Sequence, residues 1–211
     1  FLRDICTENK TLLIFDEVIN GFRIGFTGAA GYYGIQPDIV TYGKIIGGGL
    51  PVGMYGSSAK IMGSISPEGN VYQAGTLSGN PVAMAAGIAQ LTECLKPNFY
   101  VDLESKTKFL IDEIFKNIGA AASQLKIYSI GSIFWIAFTD KEVIRTAEAI
   151  DGDSMKYFRI LHKELLERGV YLGPSGYEVG FVCEAHTQED LLKTAKAFAE
   201  ALLIALKMET A

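Results

Sequence analysis

Three groups of residues could do chemistry by type and position: Asp16 after the apolar run TLLIF, Lys44 ahead of Gly47-Gly48-Gly49, and Gly75-Thr76 inside QAGTLSGNP. A lysine beside a glycine run, just past a strand-like segment, has three readings. A nucleotide phosphate loop needs its glycines before the lysine and a hydroxyl after it. Here the glycines follow, and Ile45 stands where the hydroxyl belongs, so that reading fails. A turn lysine is the default for any isolated Lys. A Schiff-base lysine works only beside groups that hold a phosphate and a pyridine ring.

The neighbours favour the third reading. Asp16 lies at the carboxyl end of a buried strand pattern, where ligands bind in open α/β sheets. A carboxylate there keeps a pyridinium nitrogen protonated and strengthens the ring as an electron sink. Asp16 also reads as a cap of the segment after it. Gly75 and Thr76 offer a backbone N–H and a hydroxyl to a phosphate, just ahead of a helix N-terminus. A Gly-Thr pair alone specifies nothing; acid, lysine and Gly-Thr in this order, as three ingredients of one cofactor site, carry more weight.

The elements that must position these groups follow from the hydrophobic pattern. Residues 11–15 form a short continuous apolar run, as in a strand covered on both faces in a parallel sheet. Residues 38–41 (DIVT) repeat the theme after Gln36-Pro37, and 52–56 form a third strand-like piece. A short helix is expected over 58–65. Pro81 suits the first position of a helix over 81–95, rich in Ala and Met and expected to be buried nearly all round. Past Lys96-Pro97-Asn98 the texture changes. An amphipathic helix is expected over 99–117, strands over 127–130 and 133–138 with Gly131 in the turn, and a helix over 154–168 closed by Gly169. A short strand is expected over 170–172. The last helix spans 187–207, with Thr187 as its cap and Asp190 as the acid of a capping box. Two units result: a parallel α/β part over 1–97 and a smaller α+β part over 98–211. Residues 1–9 read as the end of a helix with Phe1, Leu2 and Ile5 on one face and no opening cap.

Composition bounds the function class. The 211 residues are 49% hydrophobic and 20% charged, which places the chain among globular proteins rather than disordered ones. Nineteen basic against 24 acidic side chains give a net charge of −5. That leaves neither the basic footprint of a nucleic-acid binder nor a basic face for a membrane. No apolar stretch reaches the roughly 18 residues of a membrane span. Cys6, Cys94 and Cys183 form no C-x-x-C pair and read as buried reduced thiols in a cytoplasmic protein. With two histidines, His162 and His186, no metal site is expected.

DEVINGFR (16–23), PDIVTYGKIIGGGLPVG (37–53) and YQAGTLSGNPVAMAAG (72–87) together resemble the class III aminotransferases of the pyridoxal-phosphate fold type I superfamily. GFR after DEV, VYQAGTLSGNP, and YLGPSGYEVGFVCEAHTQEDL (171–191) most resemble the branch of 2,1-aminomutases acting on glutamate-1-semialdehyde. The resemblance implies an α/β fold, the C-terminal part of a fold type I transferase: a mostly parallel large-domain sheet followed by a small α+β domain. It implies pyridoxal 5′-phosphate or pyridoxamine 5′-phosphate as cofactor, with Lys44 as Schiff-base lysine and proton shuttle. By the same resemblance Asp16 pairs with the pyridine nitrogen, and Val18 packs on one ring face. Gly75 and Thr76 reach the phosphate of the neighbouring subunit, and Tyr72 lines the site near that phosphate. Glu178 matches a carboxylate facing the substrate amine; it reads equally as a loop acid in solvent.

The implied reaction makes 5-aminolevulinate for tetrapyrrole synthesis, by amino exchange through a diamino intermediate, in a homodimer with shared active sites. The glycine-rich stretches 25–34 and 47–49 are candidates for loop closure or for plain turns. Family chains are about twice this length, and their phosphate loop, ring-stacking aromatic and carboxylate-binding arginine lie upstream. These residues are therefore expected to need an N-terminal half for activity, with the strand at 11–15 otherwise an exposed edge. The alternatives are an ω-aminotransferase using a keto-acid acceptor, and a non-catalytic scaffold.

Overall fold

In the computed structural model, which describes residues 1–207, a first compact unit spans Phe1–Tyr100 and a second begins at Val101. The first unit opens with α1 (Leu2–Glu8), which has no side-chain cap, and then builds a three-stranded sheet in the order β1 (Ile14–Asp16), β2 (Ile39–Tyr42), β3 (Met54–Ser57). β1 and β2 are parallel, Ile14 opposite Ile39 and Asp16 opposite Thr41, with α2 (Gly28–Tyr33) in the crossover between them. β2 and β3 are antiparallel. Parallel pairing therefore does not extend to the third strand. The link over residues 43–53 is shorter than the dozen or more residues that a parallel crossover needs. β1 lies on the sheet edge with Leu12 and Ile14 more than half exposed. α3 (Ala59–Met62) follows β3.

α4 (Pro81–Cys94) starts as its sequence directs: Asn80 Oδ1 accepts the N–H groups of Val82 (3.0 Å) and Ala83 (3.2 Å), and Pro81 holds the first helical position. The expectation that this helix is buried nearly all round is overturned. Only Ala83, Gly87 and Cys94 are buried, while Val82 and Ile88 are about two-thirds exposed. One face packs on the turn Lys44–Gly47. Another part of the helix, with Met84, Ile88 and Leu91, lines a cavity together with Phe22, Pro51 and Met54.

The second unit has its own core. α5 (Phe99–Ile118) leads to the hairpin β4 (Leu125–Ile130) and β5 (Ile133–Phe138), turned at Gly131, and then to α6 (Ser154–Glu167). Leu110, Ile114, Phe134, Phe138, Phe158, Leu161, Leu165 and Phe198 meet in one cluster. α6 closes with Val170 N–H on the Leu165 carbonyl and Gly169 N–H on that of Leu166, the paired bonds of a Schellman end. Residues 170–172 form no strand. Val170 and Leu172 instead pack half-buried on the core, and the third strand is β6 (Gly180–Phe181), antiparallel to β5. α7 (Gln188–Lys207) opens with the capping box: Thr187 N–H donates to Asp190 Oδ2 (2.9 Å) and Asp190 N–H donates to Thr187 Oγ1 (3.2 Å). The three cysteines are free thiols, but only Cys94 is buried. Cys183 is exposed because it sits in the surface turn ahead of α7, its N–H donating to His186 Nδ1.

Candidate functional site

Parallel pairing sets the geometry. β1 ends at Asp16 and β2 ends at Tyr42, so Asp16 and Lys44 stand at the same, carboxyl-terminal end of neighbouring strands. Asp16 Oδ1 accepts from Val18 N–H at 3.0 Å and from Thr41 Oγ1 at 3.5 Å. The cap-like turn expected of Asp16 is therefore present, and it uses one carboxylate oxygen. Oδ2 accepts no hydrogen bond among the described residues, and Asp16 is exposed. Val18 is half-buried, its Cγ1 so close to Gly43 that a Cβ there would approach to 3.2 Å.

Lys44 opens a single 3-10 turn and is exposed, with φ at 48°, in the left-handed region that lysine seldom adopts. Its ammonium has no hydrogen-bond or ion-pair partner among the described residues. The turn holds this shape because α4 lies against it. A Cβ on Gly87 would stand 2.2 Å from the Ile46 carbonyl oxygen, and one on Gly48 2.4 Å from that of Ala86. The glycines after the lysine therefore serve close backbone approach.

Tyr72, Gly75 and Thr76 are exposed on the segment before α4, and no hydrogen bond joins Tyr72 or Thr76 to Asp16 or Lys44. Gly75 lines an apolar cavity of about 550 Å³ with Phe22, Met54, Leu77, Met84 and Ile88. Glu178 belongs to the second unit, exposed in a turn where its N–H donates to the Ser175 carbonyl (3.0 Å) and its carboxylate lies over Gly173.

Sequence patterns do not single out Glu17, yet it is the one charged side chain buried among the described residues. It accepts the N–H groups of Ala29 (2.9 Å) and Ala30 (2.7 Å) at the start of α2. The available signal was an acid at a strand end and, about twelve residues on, a helix start whose own N-cap makes no side-chain bond. Tyr42, at the end of β2, has its phenol pKa raised, first by burial and then by the Glu17 charge.

The chain belongs to the class-III aminotransferase family, whose model matches residues 1–202. Among solved structures it is similar to an ω-transaminase from Sphaerobacter thermophilus (28% identity, TM-score 0.84, covering 97% of this chain and 47% of that one). It is similar to a β-phenylalanine aminotransferase from Variovorax paradoxus (27%, 0.86, 98% and 47%). A glutamate-1-semialdehyde aminomutase from Pseudomonas aeruginosa PAO1, in complex with PMP, matches at 25% identity and TM-score 0.78, over 95% of this chain and 46% of that one. The chain thus spans just under half the length of these structures. No helix among the described residues is long and apolar enough to cross a membrane, and none of their His, Cys, Asp and Glu side chains form a metal-ligating group.

Proposed function

We propose that this chain carries the lysine-bearing half of a pyridoxal-phosphate-dependent aminomutase that converts glutamate-1-semialdehyde to 5-aminolevulinate. The observation that carries the reading is the pair Asp16 and Lys44 at one end of two parallel strands, each with an unengaged polar group. The donor set fits the cofactor: an open carboxylate oxygen for a pyridine N–H, a primary amine for a carbonyl carbon, and an apolar side chain, Val18, for a ring face. When bound, the cofactor supplies an electron sink for charge developing at the amine-bearing carbon. Asp16 Oδ2 holds the ring nitrogen proton, and the Asx turn to Val18 fixes that oxygen's direction. Lys44 Nζ takes and returns the proton at the amine-bearing substrate carbon. Val18 keeps water from one face of the ring.

The rest of the reading concerns assembly. Residues 1–97 would complete a cofactor-binding large domain together with an upstream half, and the chain from 98 on would form the small domain, its last residues, 208–211, lying outside the described ones. Exposed Tyr72, Gly75 and Thr76 would serve the phosphate of a second subunit in a homodimer. Glu178 would face the substrate amine, and the setting would be the cytoplasm. Motif resemblance at GFR (21–23) after DEV, at VYQAGTLSGNP (71–81) and over residues 171–191 supports the mutase over other class III activities. A transaminase with a keto-acid acceptor is the second reading, supported by the somewhat higher identity and TM-score of the ω-transaminase match.

Full-length protein given glutamate-1-semialdehyde alone should form 5-aminolevulinate. A strict requirement for added keto acid would favour the transaminase. Borohydride reduction with pyridoxal phosphate should add one pyridoxyl-phosphate mass at Lys44; an unmodified Lys44 would remove the catalytic reading and leave a scaffold.

A further inference from the structure

Glu17 lies between Asp16 and Val18 in the chain and is tied at four points. Its N–H donates to the Thr41 carbonyl (2.9 Å), and its own carbonyl accepts from Gly21 N–H (2.8 Å). Its two carboxylate oxygens take the N–H groups of Ala29 and Ala30, donors that the first turn of a helix otherwise leaves unsatisfied. The side chain is only 1% exposed, and a carboxylate so buried is tolerable only with such bonds. The fit leaves no slack. Gly28 sits at φ 60°, and a Cβ on it would stand 2.5 Å from Glu17 Oε2. A role in filling space alone would call for an apolar side chain, whereas two charge-assisted bonds fix a direction.

We propose that Glu17 is the positioning residue of this site: by clamping the first turn of α2 to the end of β1, it sets the direction of the Asp16 carboxylate and the Val18 side chain. The inference rests on the proposed roles of Asp16 and Val18 toward the cofactor. Glutamine cannot replace it fully. Its carbonyl oxygen accepts one N–H, and its NH₂ confronts the other. Through the Val18 N–H bond to Asp16 Oδ1, any slackening of Glu17 reaches the carboxylate that meets the ring.

The test uses full-length protein with Glu17→Gln, with Gly28→Ala, which crowds the same carboxylate without removing it, and with Asp38→Asn as control. Asp38 accepts Leu13 N–H and Arg3 at the amino-terminal end of β1, so its loss loosens the same strand at the far end. In cofactor-free protein, Glu17→Gln and Gly28→Ala should each speed amide exchange at Val18 about tenfold, the effect of losing one hydrogen bond of about 1.4 kcal/mol. In loaded protein they should move the apparent pKa of the cofactor's visible band by about one unit. Binding of pyridoxal phosphate should weaken about tenfold, as when a supporting partner of a ligand is lost. Asp38→Asn should lower Tm and leave the band in place. Unchanged Val18 exchange and an unmoved band in Glu17→Gln would overturn the proposal, as would an equal band shift in the control. If Gly28→Ala does not accumulate, Glu17→Gln decides alone. Asp16→Asn separates the two failures: if it leaves the band unmoved, the reading of Asp16 falls, while Val18 exchange still reports on the clamp.

Discussion

The two units bury their apolar residues differently. In the second, Leu110, Ile114, Leu161, Leu165 and Phe198 sit at or near zero exposure in one contiguous cluster. In the first, the buried apolar residues are Leu13, Ile46, Ala83 and Cys94, while Leu12, Ile14, Met54, Val82 and Ile88 stand more than a third exposed. One unit carries a complete core; the other carries the candidate chemistry and half a core. Apolar side chains in such number on a sheet edge and one helix mark surfaces built to be covered. The matched structures, about twice as long, contain the chain length to cover them.

Substitutions can break or sharpen this contrast. The largest effect belongs to the first unit. Lys44→Ala in full-length protein should cut turnover by about 10³-fold or more. Retained turnover at the parent rate would end its assignment. Leu161→Ala, at 0% exposure in the second core, should cost about 2–5 kcal/mol in a urea titration. Ile88→Ala is the sharper probe. If the outer face of α4 is covered in full-length protein, it should cost about 2 kcal/mol. A cost within about 0.5 kcal/mol would make that face an ordinary surface.

Local signals were legible where the causes are local. Pro81 after Asn80, Thr187 three residues before Asp190, and Gly169 after an amphipathic run each produced the helix end that its chemistry dictates. Asp16 and Lys44 were placed at strand ends by pattern alone, and parallel pairing puts both at one end of the sheet. What pattern could not supply was long-range. The antiparallel direction of β3 depends on how far residues 43–53 can reach. The strand at 180–181 in place of 170–172 depends on which segment finds a free edge of β5. α4 is more exposed than its composition predicts, because an Ala- and Met-rich sequence states what a helix can bury, not what stands beside it. Glu17 carries no sequence signal of its own, since an acid in a DEV triplet looks like any other until its partners, Ala29 and Ala30, are folded onto it.

Smaller effects separate the units by their caps. Asn80→Ala and Thr187→Ala each remove a side-chain cap and should each cost about 1 kcal/mol. Thr187→Ala should appear in the melting of the second unit, and Asn80→Ala in that of the first. A single shared shift would show the two units unfolding as one.

The smallest effect is in acid. Asp38 in the first unit has its carboxyl pKa lowered by the Leu13 N–H and then by Arg3, and Asp190 in the second by the Thr187 hydroxyl and then the Thr187 N–H. In both, the folded protein binds the proton less readily than the unfolded chain. Their contribution is therefore present above about pH 4, where a free carboxyl titrates, and is lost as pH falls through the depressed folded values. Asp190→Asn should flatten the acid limb of the second unit's stability curve, and Asp38→Asn that of the first. Salt distinguishes them further. Arg3 stands 2.8 Å from Asp38 Oδ2, so added salt should shrink the Asp38 contribution. The Asp190 box, made mainly by a hydroxyl and an amide of Thr187, should respond less. Equal salt sensitivity would mean that Lys193 and His186, which also act on Asp190, outweigh the box itself.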